Sequence, residues 1–426
     1  MKRTRNYSFN FDWLTILFYL LLISFGWVNI LSASHEGDIK SYTDLSQPFG
    51  KQILFIGVSF FVIVFILSIE AKFYERFSGL FYLGSILLLL GLFVFGKNVN
   101  GATSWYGIGG ITIQPSEFTK FTTALALSKY ISDFQTNLKS FKHQLQAITI
   151  ILLPAVLILL QNDAGSTLVY ASFFFVFYRE GIQQIYLSIS VFSVILAILV
   201  LKFGVVITLI ITTVILILLF FLQKKRKVKI QTYLYVFITA ILFSLTVKLA
   251  YQYVLKPHQQ NRISLWLRLE KDPEKLKAMK RVEAYNLIQS EEAISSGGLL
   301  GKGLLQGTRT KGKYVPEQHT DYIFSTVGEE WGFVGSSAVV LLFVFLIGRL
   351  VFMAERQKNQ FSRIYGYGVA SIIFFHFVIN IGMVMGLIPT IGIPLPFLSY
   401  GGSSLLGFTI LLFIFIKLDA NRLNEW

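Results

Sequence analysis

The residues best suited to chemistry lie in a polar stretch of 67 residues from Leu255 to Asp321. It holds the cations Arg262, Lys271, Lys302, Arg309 and Lys313 beside the carboxylates Asp272, Glu317 and Asp321. Cations of this kind can hold a phosphate while a carboxylate takes a proton or a metal ion. Spacing alone leaves Asp272 open, because an aspartate directly before a proline, here Pro273, also starts turns. The histidines His35, His143, His258, His319 and His376 are scattered without metal-ligand spacing, so no zinc site is expected. Cysteine is absent, which excludes disulfides and thiolate metal sites.

The rest of the chain must place that stretch, and its composition says in which solvent. With 54% apolar and 14% charged residues, and a mean hydropathy of +0.62, 426 residues carry too little polar surface for a soluble globule. Apolar runs long enough to cross about 30 Å of hydrocarbon recur throughout, and helices satisfy their own backbone there. The reading is an all-α polytopic membrane protein, one domain over 1–426, with twelve spans: 11–33, 51–69, 77–96, 114–131, 146–161, 165–178, 184–202, 205–222, 231–254, 322–347, 364–388 and 399–417. The first run is longer than a signal-peptide core and reads as an anchor. The pair within 184–222 is broken only at Lys202-Phe203-Gly204, read as the tip of a helical hairpin.

Nineteen Lys and Arg fall in the short loops on one side, including Lys2, Arg3, Arg5 and the basic run 224–229, against Lys40, Lys51, Lys97 and Lys202 on the other. The positive-inside rule then puts both termini in the cytoplasm and the loop 255–321 outside. The net charge of +15 follows from this topology and from a cationic loop suited to an anionic ligand; no nucleic-acid motif is present.

Ionisable groups at membrane depth are costly and hence candidates. Glu117 and Lys120 share one helix face at i, i+3 after Pro115, as a structural ion pair or a functional one. Asp163 can cap a helix or bind a ligand, with the cap weighing more. Glu329 and Glu330 point to different faces, so at least one needs a partner.

Several of these residues sit in longer motifs. Gly386 to Ser404 reads GLIPTIGIPLPFLSYGGSS, Pro316 to Phe324 reads PEQHTDYIF, Gly328-Glu329-Glu330 follows, and Gln114-Pro115-Ser116-Glu117 precedes Lys120. On these motifs the chain resembles the SEDS family (shape, elongation, division and sporulation) along its whole length. Asp12-Trp13 at the first span leans towards the rod-shape branch.

The resemblance implies a peptidoglycan glycosyltransferase that polymerises lipid II at the outer face of the bacterial cytoplasmic membrane for elongation and cell shape. The family's essential carboxylate lies ten residues after an arginine and just before a proline, a spacing that Arg262 and Asp272 reproduce. Asp272 is then the catalytic base, or the ligand of a magnesium or manganese ion, with Glu270 and Glu274 as fallbacks. Arg262, Lys120, Glu117, Lys313, Glu317, His319, Asp321, Ser399 and Ser403 are expected to bind substrate. No organic cofactor is implied. The implied partners are lipid II, the lipid-linked glycan strand, a class B penicillin-binding protein, other elongation-complex proteins and membrane lipids, and no nucleic acid. A lipid II flippase and a non-catalytic wall scaffold are the competing readings.

The chain also departs from the family pattern. The hairpin 184–222 adds two spans to the usual ten, Ser104 replaces an arginine, Asn162 replaces a proline, and Glu274 to Ala284 are extra residues.

Overall fold

In a computed structural model, residues 11–35, 41–99, 101–108, 111–222, 230–270, 272–282 and 284–422 are described. Lys271, Lys2, Arg3, Arg5, Lys40 and the basic run 224–229 lie outside them. The chain forms two compact units, Met1–Ile182 with Gln289–Trp426, and Gln183–Ile288.

The first unit begins with α1 (Trp13–Ser34), α2 (Pro48–Ser68), α3 (Ala71–Arg76) and α4 (Ser78–Phe95). Three short strands follow, β1 (Lys97–Val99), β2 (Ala102–Ile108) and β3 (Ile111–Ile113), then α5 (Pro115–Ser132), α6 (Phe141–Leu160), α7 (Ala164–Val169) and α8 (Phe173–Arg179). The second unit holds α9 (Gln184–Leu222), α10 (Ile230–Leu249), α11 (Pro257–Leu267) and α12 (Pro273–Val282). The chain passes back into the first unit along α13 (Tyr285–Ser296), then forms α14 (Thr308–Lys311), α15 (Ile323–Glu355), α16 (Gln360–Val384) and α17 (Gly402–Asn421).

Nine helices among the described residues are long and apolar enough to cross a membrane. One of them, α9, leaves helical geometry at Gly204 (φ 82°, ψ 166°), where the hairpin tip was expected. The remaining two expected spans fall on α5, which is less apolar, and on α7 and α8, which a 3-10 turn at Tyr170–Ser172 separates. The stretch 255–321 is largely helical, carrying α11 to α14. Against the all-helical expectation, β1, β2 and β3 pair antiparallel into a small sheet.

Helix starts follow local chemistry. Asp12 accepts the Thr15 amide at 3.1 Å and caps α1, while Pro48, Pro115 and Pro257 open α2, α5 and α11, where their missing N–H costs nothing. Within the first unit, α16 and α17 form the centre: 72% of the most apolar window of each is buried, against 22% in α2 and 28% in α4. Outer helices therefore present Phe61, Val94 and similar side chains outward, as lipid-facing helices do. Polar groups such as Asn29, Thr119 and Asn380 are buried within.

Candidate functional site

Helix α5 carries an ion pair at membrane depth. Lys120 Nζ lies 2.8 Å from Glu117 Oε1, one turn away, and both side chains are 3% exposed. The same Nζ lies 3.1 Å from Nε2 of His376 on α16. His376 Nδ1 is 3.0 Å from the Pro394 carbonyl, which can only accept, so Nδ1 carries the proton and Nε2 accepts from lysine. The ammonium also sits 4.9 Å from the ring centre of Phe408 on α17. Glu117 Oε2 is buried and, among the described residues, without a partner. The result is a cation held from three helices, with one carboxylate oxygen unsatisfied.

In the same unit, three motif segments are tied together. Ser399 Oγ donates to the Thr320 carbonyl at 2.6 Å and accepts the Leu395 amide at 2.9 Å. The Tyr400 amide donates to the His319 carbonyl at 2.8 Å. Asn380 Nδ2 donates to the carbonyls of Asp321 at 2.8 Å and Ile393 at 2.6 Å. Ser403 Oγ accepts the Gln114 amide at 3.0 Å. Ser399 and Ser403 are buried, with hydroxyls committed to backbone groups, so they hold the segments that carry other candidates. Asp163 acts as the cap it was read to be, accepting from the Ser166 amide at 2.9 Å; its other oxygen accepts from Gln114 Nε2 at 2.9 Å.

Lys313, Glu317 and His319 line a cavity of about 200 Å³ with Ser34, Gln47 and Pro48 from the facing ends of α1 and α2. Burial lowers the His319 pKa below its ordinary value, with Lys313 adding to the effect and Glu317 opposing it. The imidazole is therefore neutral at pH 7. Asp321 follows two residues on, half-buried, with its Oδ2 near Gly392 of the 386–404 motif.

The adjacent glutamates at the start of α15 are both partnered. Glu329 accepts from Lys302 Nζ at 2.8 Å, from the amides of Arg309 and Thr310 at 2.9 Å each, and from the Thr310 hydroxyl at 2.8 Å. Glu330 accepts from Ser32 of α1. Glu329 thus clamps 302–310, the approach to Lys313. Replacing Glu329 with alanine is expected to cost about 3 kcal/mol, at the low end for a broken buried pair because Lys302 is part-exposed. Faster hydrogen exchange at the Arg309 and Thr310 amides would report it.

Arg262 and Asp272 belong to the other unit. Arg262 lies half-buried on α11. Asp272 is exposed at the start of α12; its Oδ1 accepts the Glu274 amide at 3.0 Å, and its own amide donates to Glu270 Oε1 at 3.0 Å. The turn-starting property of Asp-Pro is realised here as a helix start. The candidates thus fall into two groups, Arg262 with Asp272 and the remaining eight in the first unit. His376 is the residue that sequence reasoning missed: it stands 256 positions from Lys120 and no spacing links them.

The departures have structural counterparts. Ser104 is buried on β2, its hydroxyl without a partner among the described residues. Asn162 has φ 64°, a left-handed conformation open to asparagine but closed to proline, whose ring fixes φ near −65°. Asn162→Pro is expected to lower stability by more than about 1 kcal/mol, read as a fall in Tm, and Asn162→Gly to be near neutral. Of the extra residues, Glu274 to Val282 lie in α12.

The chain is 34% identical over 444 residues to "Peptidoglycan glycosyltransferase RodA" of Treponema pallidum (strain Nichols), covering 97% of this chain and 98% of that one. It is 29% identical to "Peptidoglycan glycosyltransferase MrdB" of Escherichia coli (strain K12), over 82% of this chain and 80% of that one. A solved structure described as "Structural coordination of polymerization and crosslinking by a peptidoglycan synthase complex" has the same fold, with TM-score 0.72 and 23% identity, over 98% of this chain and 99% of that one. The family model for FtsW, RodA and SpoVE, described as "Cell cycle protein", matches residues 12–207 and 178–424. With both the model and a relative spanning nearly its full length, the chain belongs to the FtsW/RodA/SpoVE family of cell cycle proteins.

Proposed function

We propose that this multi-pass membrane protein is a peptidoglycan glycosyltransferase that polymerises lipid II into glycan strands for cell elongation and shape, with Asp272 as its base. The activity rests on the full-length relationship to peptidoglycan glycosyltransferases. The observation that carries the assignment of the base is the state of Asp272, an exposed carboxylate with one oxygen on a backbone amide, ten residues after Arg262.

The sugar 4-hydroxyl of one lipid-linked substrate attacks the anomeric carbon of another, and the lipid pyrophosphate leaves. One base suffices, because the hydroxyl loses its proton as the new bond forms and the leaving group departs as an anion. Asp272 takes that proton, and Arg262, in the same unit, is the cation suited to the developing charge on the pyrophosphate, with Lys120 and Lys313 of the other unit as the further candidates, in that order. Neutral His319 and the carboxylates of Glu317 and Asp321 suit sugar hydroxyls.

A magnesium or manganese ion, where used, supplies charge to the pyrophosphate. Among the described residues no group of three His, Asp or Glu side chains is assembled for a metal. Such an ion would take Asp272, with Glu270 two residues away, and fill its shell from water and substrate oxygens.

Both termini lie in the cytoplasm and 255–321 outside, a topology that the positive-inside count supports. A crosslinking transpeptidase of the class B penicillin-binding protein type is the partner, in keeping with the synthase complex whose fold this chain shares. The membrane-depth triad of Glu117, Lys120 and His376 favours a second reading, movement of the lipid across the bilayer. Purified protein given lipid II decides between them: polymer without lipid transfer in vesicles supports the first, and transfer without polymer overturns it.

A further inference from the structure

Helix α12, the segment in which this chain departs from the family pattern, has no buried residue. Its sequence, PEKLKAMKRV, places two chemistries on opposite sides. At about 100° per residue, Leu276, Met279 and Val282 follow one another along one face, while Glu274, Lys277, Lys280 and Arg281 occupy the other. Lys275 falls on the apolar side one turn before Met279, where a long stem can run along apolar surface and keep its charge in water. Four cations stand against one carboxylate. Among the described residues, none of the four cations forms an ion pair.

Two further observations say what covers this helix. A lone helix of 10 residues is too short to persist in water, where about 12–15 are needed, so α12 calls for a surface. The chain also keeps it near the bilayer. Tyr251, in the last turn before the polar stretch, donates its hydroxyl to the Gln260 carbonyl at 3.2 Å, and Gln260 Nε2 donates to the Leu255 carbonyl at 3.0 Å. These bonds fold α11 back on the membrane exit of α10, and Pro273 follows only six residues after α11 ends.

We propose that α12 is an interfacial anchor that lays Leu276, Met279 and Val282 into the bilayer surface and pairs Lys275, Lys277, Lys280 and Arg281 with anionic phospholipid headgroups. Amphipathic cationic helices bind such surfaces by apolar burial plus charge, with about fivefold in partitioning for each Lys or Arg at an anionic leaflet. Asp272 caps this helix, so the anchor sets the height of the carboxylate at headgroup level, where a lipid-linked pyrophosphate is presented. That last consequence rests on the proposed function; the anchoring does not.

The chain has no cysteine, so Met279→Cys gives a single labelling site for a polarity-sensitive dye in the full-length protein. The labelled protein would be reconstituted into vesicles of phosphatidylcholine with or without phosphatidylglycerol, with a nitroxide-bearing lipid as quencher. Dye immersion and quenching are expected in the anionic vesicles, with a loss of tenfold or more by about-fivefold steps as the cations are changed to glutamine. A dye equally accessible to water in both vesicles, or equally immersed in both, overturns the proposal. So does release of the helix by inorganic pyrophosphate at constant ionic strength, which would make α12 a substrate site. An Asp272→Asn variant that anchors normally but polymerises normally too would defeat the proposed base and leave the anchor standing.

Discussion

Asp272→Ala is expected to lower glycan-strand synthesis by purified protein on lipid II by about 100- to 10,000-fold, the range for loss of a general base. The fold should survive, because Asp272 is exposed and its one structural duty is to cap a short helix, worth roughly 1 kcal/mol. Asp272→Asn separates the two duties. An asparagine oxygen still accepts the Glu274 amide, so protection of α12 should persist, yet the amide cannot take a proton at neutral pH. Polymerisation by the asparagine variant at the wild-type rate would show that another group is the base, and Glu270, whose carboxylate touches the Asp272 amide, would be tested next.

The second large effect concerns the triad at membrane depth. Lys120→Met removes the cation that Glu117 pairs with among buried groups, where among the described residues one of its oxygens already lacks a partner, and is expected to cost roughly 3–5 kcal/mol. Changing both residues, Glu117→Gln with Lys120→Met, removes the charges together and should recover most of that loss, because a buried pair exchanged for neutral groups is often close to neutral in stability. Thermal unfolding in detergent measures the first effect, and the double variant in the polymerisation assay measures function apart from folding. If the stable double variant polymerises normally, the pair is structural. If its activity falls while its Tm is restored, Lys120 serves the reaction. His376→Gln tests the third member: an amide oxygen can accept from the lysine where Nε2 does, so stability should change less than with Lys120→Met.

Amino-acid sequence by itself determined the solvent, the helices and much of the chemistry. Apolar runs at bilayer length leave a chain no option but to satisfy its backbone within each segment, so the spans could be read without knowing their neighbours. The break at Gly204, the cap at Asp163 and the turn-starting Asp272-Pro273 were legible for the same reason, being set by a few adjacent residues. The pairing of Glu117 with Lys120 was legible too, since i, i+3 neighbours share a helix face.

Only the tertiary structure decided what depends on distant segments meeting. His376 beside Lys120, Glu329 clamping 302–310, and Ser399 and Ser403 holding backbone instead of standing open to solvent all join residues that no local rule connects. The left-handed turn at Asn162 and the small sheet ahead of α5 likewise depend on how the chain closes on itself. The physical reason is range: hydrophobic matching to the bilayer and helix capping act within a few residues, whereas burial forces each polar group to find a partner wherever packing brings one.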